Sequence, residues 1–203
     1  MTTQTQNNIG FGKYIALGIL IVAALFFVGG YNGLVSKDQT VEQAWSQVQT
    51  QYQRRSDLIP NLVSTVKGEA NFEKSTLQSV IEARASATQI KVDANTVNNP
   101  EQLAKYQQAQ GQLGAALGKL LMVTENYPTL KTNAQFAQLM DEIAGTENRI
   151  AVARRDFNKD VQEYNVATKS FPGVVFAKIF NFNEKSYFKA DEGSDKAPQV
   201  SFQ

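Results

Sequence analysis

The pattern of apolar positions changes near residue 31. Residues 14–31 contain no charged residue and are apolar on every side of a helix. This length is close to the ~20 residues that cross ~30 Å of hydrocarbon. Tyr14 and Tyr31 would lie ~25 Å apart, near the two interfaces where aromatic side chains concentrate. The pattern predicts a transmembrane helix at 14–31 after a short tail at 1–13, with a cleaved signal peptide as the alternative.

Beyond Asp38 the apolar residues recur at alternating steps of three and four, which is typical of amphipathic helices. Four such stretches are separated by short polar connections, at about 38–67, 72–89, 99–127 and 132–170. Short connections make successive helices antiparallel neighbours. The predicted fold is therefore all-α: an N-terminal transmembrane helix followed by an antiparallel up-and-down four-helix bundle of long helices at 38–171. The alternative is a three-helix arrangement in which 38–90 form one long helix.

Several residues predict where these helices begin, bend and end. Pro60 lies inside the first stretch, so we expect a kink or a break there. Asn99 precedes Pro100 and is expected to cap the third helix. Thr132, three residues before Gln135, predicts a capping box for the last helix.

The segment 172–189 is rich in aromatic residues and is followed by a polar tail at 190–203. Its apolar residues are accompanied by three lysines, Lys178, Lys185 and Lys189. Two interpretations remain open: the segment caps the end of the bundle, or it forms an amphipathic patch on the membrane beside the anchor. The tail is predicted to be disordered because it cannot bury enough apolar surface.

A group of polar residues lies on or beside the apolar stripes of the predicted helices. Its members are Arg54, Arg55, Asp57, Asn61, Arg84, Glu147 and Arg154. Charges on a core stripe are costly unless they are paired. We expect Arg55 or Arg54 to pair with Glu147 across the bundle.

A second ion pair is expected between Asp57 or Glu82 and Arg154 or Arg84. The simplest interpretation is that such pairs fix the register of the helices. A groove for a peptide or partner helix remains the alternative, followed by carboxylate catalysis.

Composition removes most catalytic chemistry. The chain has no cysteine and no histidine, so thiol catalysis, the usual general base and the usual metal ligands are absent. The formal net charge of +1 gives no reason to expect nucleic acid as a partner. Gly114 and Gly118 precede Lys119, but the spacing and the following Leu120 do not fit a phosphate-binding loop. We expect these glycines, with Gly111, to allow close helix packing, and we expect no cofactor, no metal and no enzymatic activity.

The ordered set of motifs resembles the LemA family. It comprises Tyr31-Asn32, Trp45, QYQRRSDLIPNLVSTVKG from Gln51, Ala83-Arg84, ENYP from Glu125 with Leu130-Lys131, TENRIAVARRDFN from Thr146, Tyr164-Asn165, Phe171-Pro172 and Tyr187-Phe188. The resemblance extends from about Tyr14 to Phe188. It implies a single-pass protein of the bacterial cytoplasmic (inner) membrane with a four-helix bundle and no securely assigned catalytic activity.

The resemblance also bears on partners and orientation. Genes of the family often neighbour genes of membrane proteases, which suggests other membrane proteins as partners beside the lipid bilayer. Family descriptions place the bundle in the cytoplasm, whereas the positive charge near the anchor slightly favours the bundle outside. The sequence sets neither the side of the bundle nor the oligomeric state. The expected function is a scaffold or protein-interaction module, with a carboxylate- or divalent-cation-dependent enzyme and a purely structural envelope spacer as alternatives.

Overall fold

A computed structural model of the chain describes residues 9–69 and 72–189. Six α-helices and one 3-10 helix (Ala94–Asn98) are present there. The α-helices are α1 (Ile9–Lys67), α2 (Lys74–Gln89), α3 (Pro100–Thr124), α4 (Pro128–Thr132), α5 (Ala134–Lys169) and α6 (Gly173–Phe180). The predicted disordered tail at 190–203 and most of the tail at 1–13 lie outside the described residues.

The membrane anchor and the first helix of the bundle are one element. Helix α1 spans 59 residues, or ~88 Å at ~1.5 Å per residue. Within the described residues it is the one helix long and apolar enough to cross a membrane, and no residue of its most apolar window is buried. Tyr14 and Tyr31, the expected interfacial residues, are both exposed. The sequence pattern predicted separate helices at 14–31 and 38–67, because the apolar surface changes from the whole circumference to one stripe. The backbone nevertheless continues as one helix between them.

Of the kink or break predicted near Pro60, the break is wrong, because α1 continues through this residue to Lys67. A proline has no N–H, so the carbonyl group of Ser56, one turn earlier, lacks its helical donor. Arg84 of α2 supplies the missing bond, since its Nε donates to the Ser56 carbonyl oxygen at 2.9 Å. The side chain of a neighbouring helix thus replaces the hydrogen bond that the proline removes.

The half of the molecule far from the anchor is a four-helix bundle, as predicted. Its core joins residues of α1, α2, α3 and α5 that are almost fully buried, among them Leu62, Val80, Leu113, Leu120 and Ile143. Because α1 ends at Lys67 and α2 begins at Lys74, the three-helix alternative is wrong. The long helices are held together mainly by this apolar contact.

The half nearer the anchor has a second core built differently. It contains Trp45 of α1, Tyr106 of α3 and Phe157 of α5, but no residue of α2. Phe188, from the non-helical segment that follows α6, completes it and packs on the rings of Trp45 and Phe157. The C-terminal segment is therefore part of the fold.

The helix ends follow the sequence in one case and differ in another. The Asn99 side chain accepts hydrogen bonds from the backbone N–H groups of Glu101 and Gln102, which confirms the predicted cap of α3. The predicted capping box at Thr132 is wrong, because Asn133 caps α5 instead. Thr132 belongs to the short helix α4 and donates its hydroxyl to the Thr129 carbonyl.

Candidate interaction surfaces

A buried arginine joins three helices at the centre of the bundle. Arg55 of α1 is 2% exposed, and its Nη1 donates to Glu147 Oε1 of α5 at 2.7 Å. Its Nη2 donates to the backbone oxygen of Gln110 of α3 at 3.0 Å and to the side-chain oxygen of the same residue at 2.6 Å. The Tyr52 ring lies under the guanidinium at 5.2 Å. The structure thus forms the first ion pair that the sequence predicted, although the Glu147 side chain remains 41% exposed.

The other polar residues singled out on α1 do not join this centre. Arg54, Asp57 and Asn61 are exposed. The carboxylate of Asp57 accepts a hydrogen bond from Gln53 of the same helix at 2.7 Å. Consecutive positions on a helix face different directions, so only one of the neighbours Arg54 and Arg55 can enter the core.

The second predicted ion pair is not formed among the described residues. Arg84 donates to the Ser56 carbonyl, and Glu82 accepts from Gln78 on its own helix. Arg154 donates to the backbone oxygen of Lys189 and covers the Phe188 ring at 5.1 Å. Within the part of the chain described, Arg154 therefore binds the C-terminal segment and not an acid of a neighbouring helix.

Side-chain amides bind the backbone of the C-terminal segment, residues 181–189. Asn165 of α5 accepts from the N–H of Lys185 and donates to its carbonyl, at 2.9 and 2.8 Å. Asn158, seven residues earlier on the same face, makes the same two bonds with Phe188, both at 2.9 Å. A primary amide offers one donor and one acceptor side by side, so it pairs with an extended backbone as a neighbouring strand would.

A third amide and one backbone bond complete this docking. Gln107 of α3 bonds both the N–H and the carbonyl of Lys189, and the Ser186 N–H donates to the Val97 carbonyl at 2.7 Å. These contacts were not predicted, because amides count as ordinary polar positions on a helix. The spacing of seven between Asn158 and Asn165 was the signal available.

A buried lysine anchors the same segment. Lys185 is almost fully buried, and its Nζ lies 2.8 Å from Asp38 Oδ1 of α1, 3.4 Å from Asn98 Oδ1 and 5.1 Å from the centre of the Tyr164 ring. Lys185 belongs to the segment predicted either to cap the bundle or to lie on the membrane, and its side chain points into the bundle. Asp38 was missed as its partner, since 147 residues separate the two along the chain.

Three groups of the bundle have shifted protonation equilibria. Burial, and after it the negative charge of Asp38, raises the pKa of Tyr164 to about 12. Burial also raises the pKa of Tyr106, with a further contribution from Tyr52. The pKa of Asp160 is raised by burial and then by the nearby charge of Glu163.

A groove of about 580 Å³ runs between α1 and α5 on the outer side of the molecule. Ala44, Val152 and Ala153 supply its apolar residues, and Val152 is exposed. Polar residues of both helices surround them, namely Thr40, Gln43, Gln47, Gln51, Asn148, Arg149, Asp156 and Asp160. From Thr40 to Gln51 the groove follows about three turns of α1, ~16 Å.

Helix α6 packs at the junction of anchor and bundle, where Phe176 and Ala177 form a small core with Leu34 of α1 and Ala167 of α5. The Phe176 ring lies 5.5 Å from the Phe26 ring and 5.3 Å from the Phe27 ring. A side chain at Gly30 would overlap Phe176, so the absent Cβ permits this contact. Phe180 packs on Tyr31, with ring centres 4.7 Å apart.

The expectation that the three glycines of α3 allow close helix packing is wrong at two of them. Gly111 and Gly118 are exposed, and a Cβ there would meet no atom within 4 Å, so they do not permit close helix packing. A Cβ at Gly114 would lie 3.7 Å from Arg55 Nη1.

Over the described residues, no group of three or more acidic side chains converges to hold a metal ion.

These features define a class: a helical protein anchored in a membrane by a helix that continues into its bundle. The chain matches the LemA family over residues 44–202 and belongs to that family.

The chain is also similar to named relatives. It is 25% identical to magnetosome protein MamQ 2 of Paramagnetospirillum magneticum over 95% of this chain and 78% of that protein. It is 26% identical to MamQ of Magnetospirillum gryphiswaldense, over 92% of this chain and 76% of that protein. Its identity to protein LemA of Metamycoplasma hominis is 25%, over 88% of this chain and 78% of that protein.

Proposed function

We propose that the protein is a non-catalytic scaffold of the bacterial cytoplasmic membrane, and that the groove between α1 and α5 receives a helix of another membrane protein. The observation that carries this proposal is the groove itself. Two long helices present small and apolar residues to solvent there, with polar residues on both sides. Ridges of a partner helix fit such a surface, and a polar rim gives specificity.

The height of the groove favours a membrane protein as the partner. Thr40 lies nine residues beyond Tyr31 and Gln51 lies twenty beyond it, ~14 to ~30 Å above the interface on a continuous helix. A helix that continues from a partner's own transmembrane span reaches this height without a linker. Gene neighbourhood in the family is consistent with such partners.

The non-catalytic part of the proposal rests on chemistry. Without cysteine or histidine, catalysis would depend on carboxylates or on groups such as a serine–lysine pair. The carboxylate of Glu147, which lies on an apolar stripe of the bundle, is engaged by Arg55.

The test uses the absence of native cysteine, so that each introduced thiol is unique. Val152→Cys in the groove and Leu121→Cys on α3, two positions of similar exposure, would carry a photoactivatable crosslinker in intact membranes. We expect position 152 to crosslink to a helical segment of a membrane protein, identified by mass spectrometry, and Gln47→Trp to abolish the product by filling the groove. Equal products from both positions, or products that survive Gln47→Trp, would contradict the proposal.

A further inference from the structure

The outer face of α6 carries an apolar stripe that no described residue covers. Val175 and Ile179 lie four residues apart on α6, so they share a face, and Phe171 lies just before the helix begins at Gly173. Phe171, Val175 and Ile179 are 84%, 41% and 58% exposed. Contiguous apolar surface of this kind marks an interaction site in a folded protein.

The inner face of α6 fixes the depth of this stripe. Phe176 contacts Phe26, Phe27 and Gly30, and Phe180 contacts Tyr31. All four contacted residues belong to the last turns of the apolar span 14–31. Helix α6 therefore lies at the level where α1 leaves the hydrocarbon, and its exposed stripe continues the exposed apolar surface of the anchor.

The charges around α6 suit a lipid headgroup region. Residues 173–180 contain one charged side chain, Lys178, which is exposed. Lys169, just before α6, is also exposed and is paired with Glu184 at 2.6 Å. Lysines place their stems along apolar surface while their amines reach phosphate groups.

We propose that α6, together with Phe171, is a second membrane contact, which lies in the boundary between headgroups and acyl chains beside the anchor. Its ligand is the bilayer surface. Two points of attachment, a spanning helix and an interfacial one, fix which side of the bundle faces the membrane. The proposal is independent of the groove between α1 and α5, and either can fail alone.

The test measures depth in the full-length protein, reconstituted in nanodiscs of phosphatidylcholine and phosphatidylglycerol at one copy per disc. Phe171→Cys, Val175→Cys and Ile179→Cys would each carry a fluorophore, and lipids brominated near the headgroup would quench it. The matched control is Val152→Cys, a residue of comparable exposure on α5. We expect quenching several-fold stronger at positions 171, 175 and 179 than at position 152, and the reverse order with aqueous iodide.

Two outcomes would overturn the proposal. In one, all four labels respond alike to brominated lipid. In the other, the α6 labels are protected only in vesicles with many copies, which would show that a second copy covers the stripe. Ile179→Asp should weaken lipid quenching at position 175 while the buried Trp45 keeps its emission maximum, and this separates loss of lipid contact from unfolding.

Discussion

The bonds of Arg55 give the clearest expectation at the scale of single residues. Replacing Arg55 by leucine removes the donor that the Gln110 side-chain oxygen and Glu147 share, and a second bond to the Gln110 backbone oxygen. We expect a loss of about 3 kcal/mol in the free energy of unfolding, measured by urea titration in detergent. Arg54→Leu, at the exposed neighbouring position, should cost less than about 0.5 kcal/mol. Similar losses in both variants would show that the buried network contributes nothing special.

Glu147 should matter less than its partner. Its carboxylate is partly solvated, so Glu147→Ala leaves Arg55 with the two Gln110 acceptors, and we expect a loss of about 1–2 kcal/mol in the same titration. A loss equal to that of Arg55→Leu would mean that Glu147 alone holds the arginine in place.

Pro60 and Arg84 should be energetically coupled. In the native chain, Arg84→Met leaves the Ser56 carbonyl without a donor, whereas in Pro60→Ala the restored N–H supplies one. A double-mutant cycle in urea should therefore give a coupling of about 1 kcal/mol, with the arginine worth less in the alanine background. Equal losses in both backgrounds would contradict the replacement of one bond by the other.

The pKa of Tyr164 predicts a loss of stability at high pH. The folded state holds the phenolic proton to about pH 12, whereas an unfolded tyrosine releases it near pH 10. The unfolded state thus binds fewer protons in this window, so the stabilisation is complete below pH 10 and declines as the pH rises toward 12. Urea titrations across that window should show a shallower decline for Tyr164→Phe than for the native chain. Parallel curves would assign the decline to other groups.

The contacts that could be predicted from the sequence are those between residues of periodic helical stripes. Arg55 and Glu147 were predicted to pair because both lie on helical stripes, whose facing positions can be compared. Lys185 could not be placed, since its segment has no period and its partner Asp38 lies at the other end of the chain. Amide side chains that bind backbone carry no compositional mark, so the docking of 181–189 was not predicted.

At the scale of elements, the docked segment 181–189 depends on its amides. Asn165→Leu removes both bonds to the Lys185 backbone, while Asn148→Leu alters an exposed asparagine of the same helix. We expect hydrogen exchange of the Lys185 amide to accelerate strongly in the first variant and to stay unchanged in the second. Unchanged exchange in both would show that the ion pair and Phe188 suffice to hold the segment.

The helices themselves were predictable, and their junctions were not. Each amphipathic stretch became a helix because its apolar stripe found a partner in the bundle, and Asn99 capped α3 as its position before Pro100 indicated. The end of α1 at Lys67 was predicted too, whereas its continuation through Pro60 depended on Arg84 of α2 and the cap of α5 followed an added short helix. Local pattern therefore decides where a helix exists, while contacts with other elements decide whether it continues through a proline.

For the molecule as a whole, the structure predicts a rigid connection between anchor and bundle. Spin labels introduced by Asn32→Cys and Lys67→Cys should give a narrow distance distribution near ~53 Å, because one helix of ~1.5 Å per residue joins them. The control pair, Thr40→Cys and Lys67→Cys, lies wholly within the bundle and should be narrow near ~40 Å. A broad distribution for the first pair alone would place a hinge between residues 32 and 40.

Because α1 is unbroken, the thickness of the bilayer also affects where the far end of the bundle lies. A span that is longer than the local hydrocarbon thickness tilts. The ~54 Å of helix beyond Tyr31 tilts by the same angle, because it continues the span. A tilt of ~10° would then displace the far end of the bundle sideways by ~9 Å, about one helix diameter. Thinner and thicker patches of the same membrane would present that end to different neighbours.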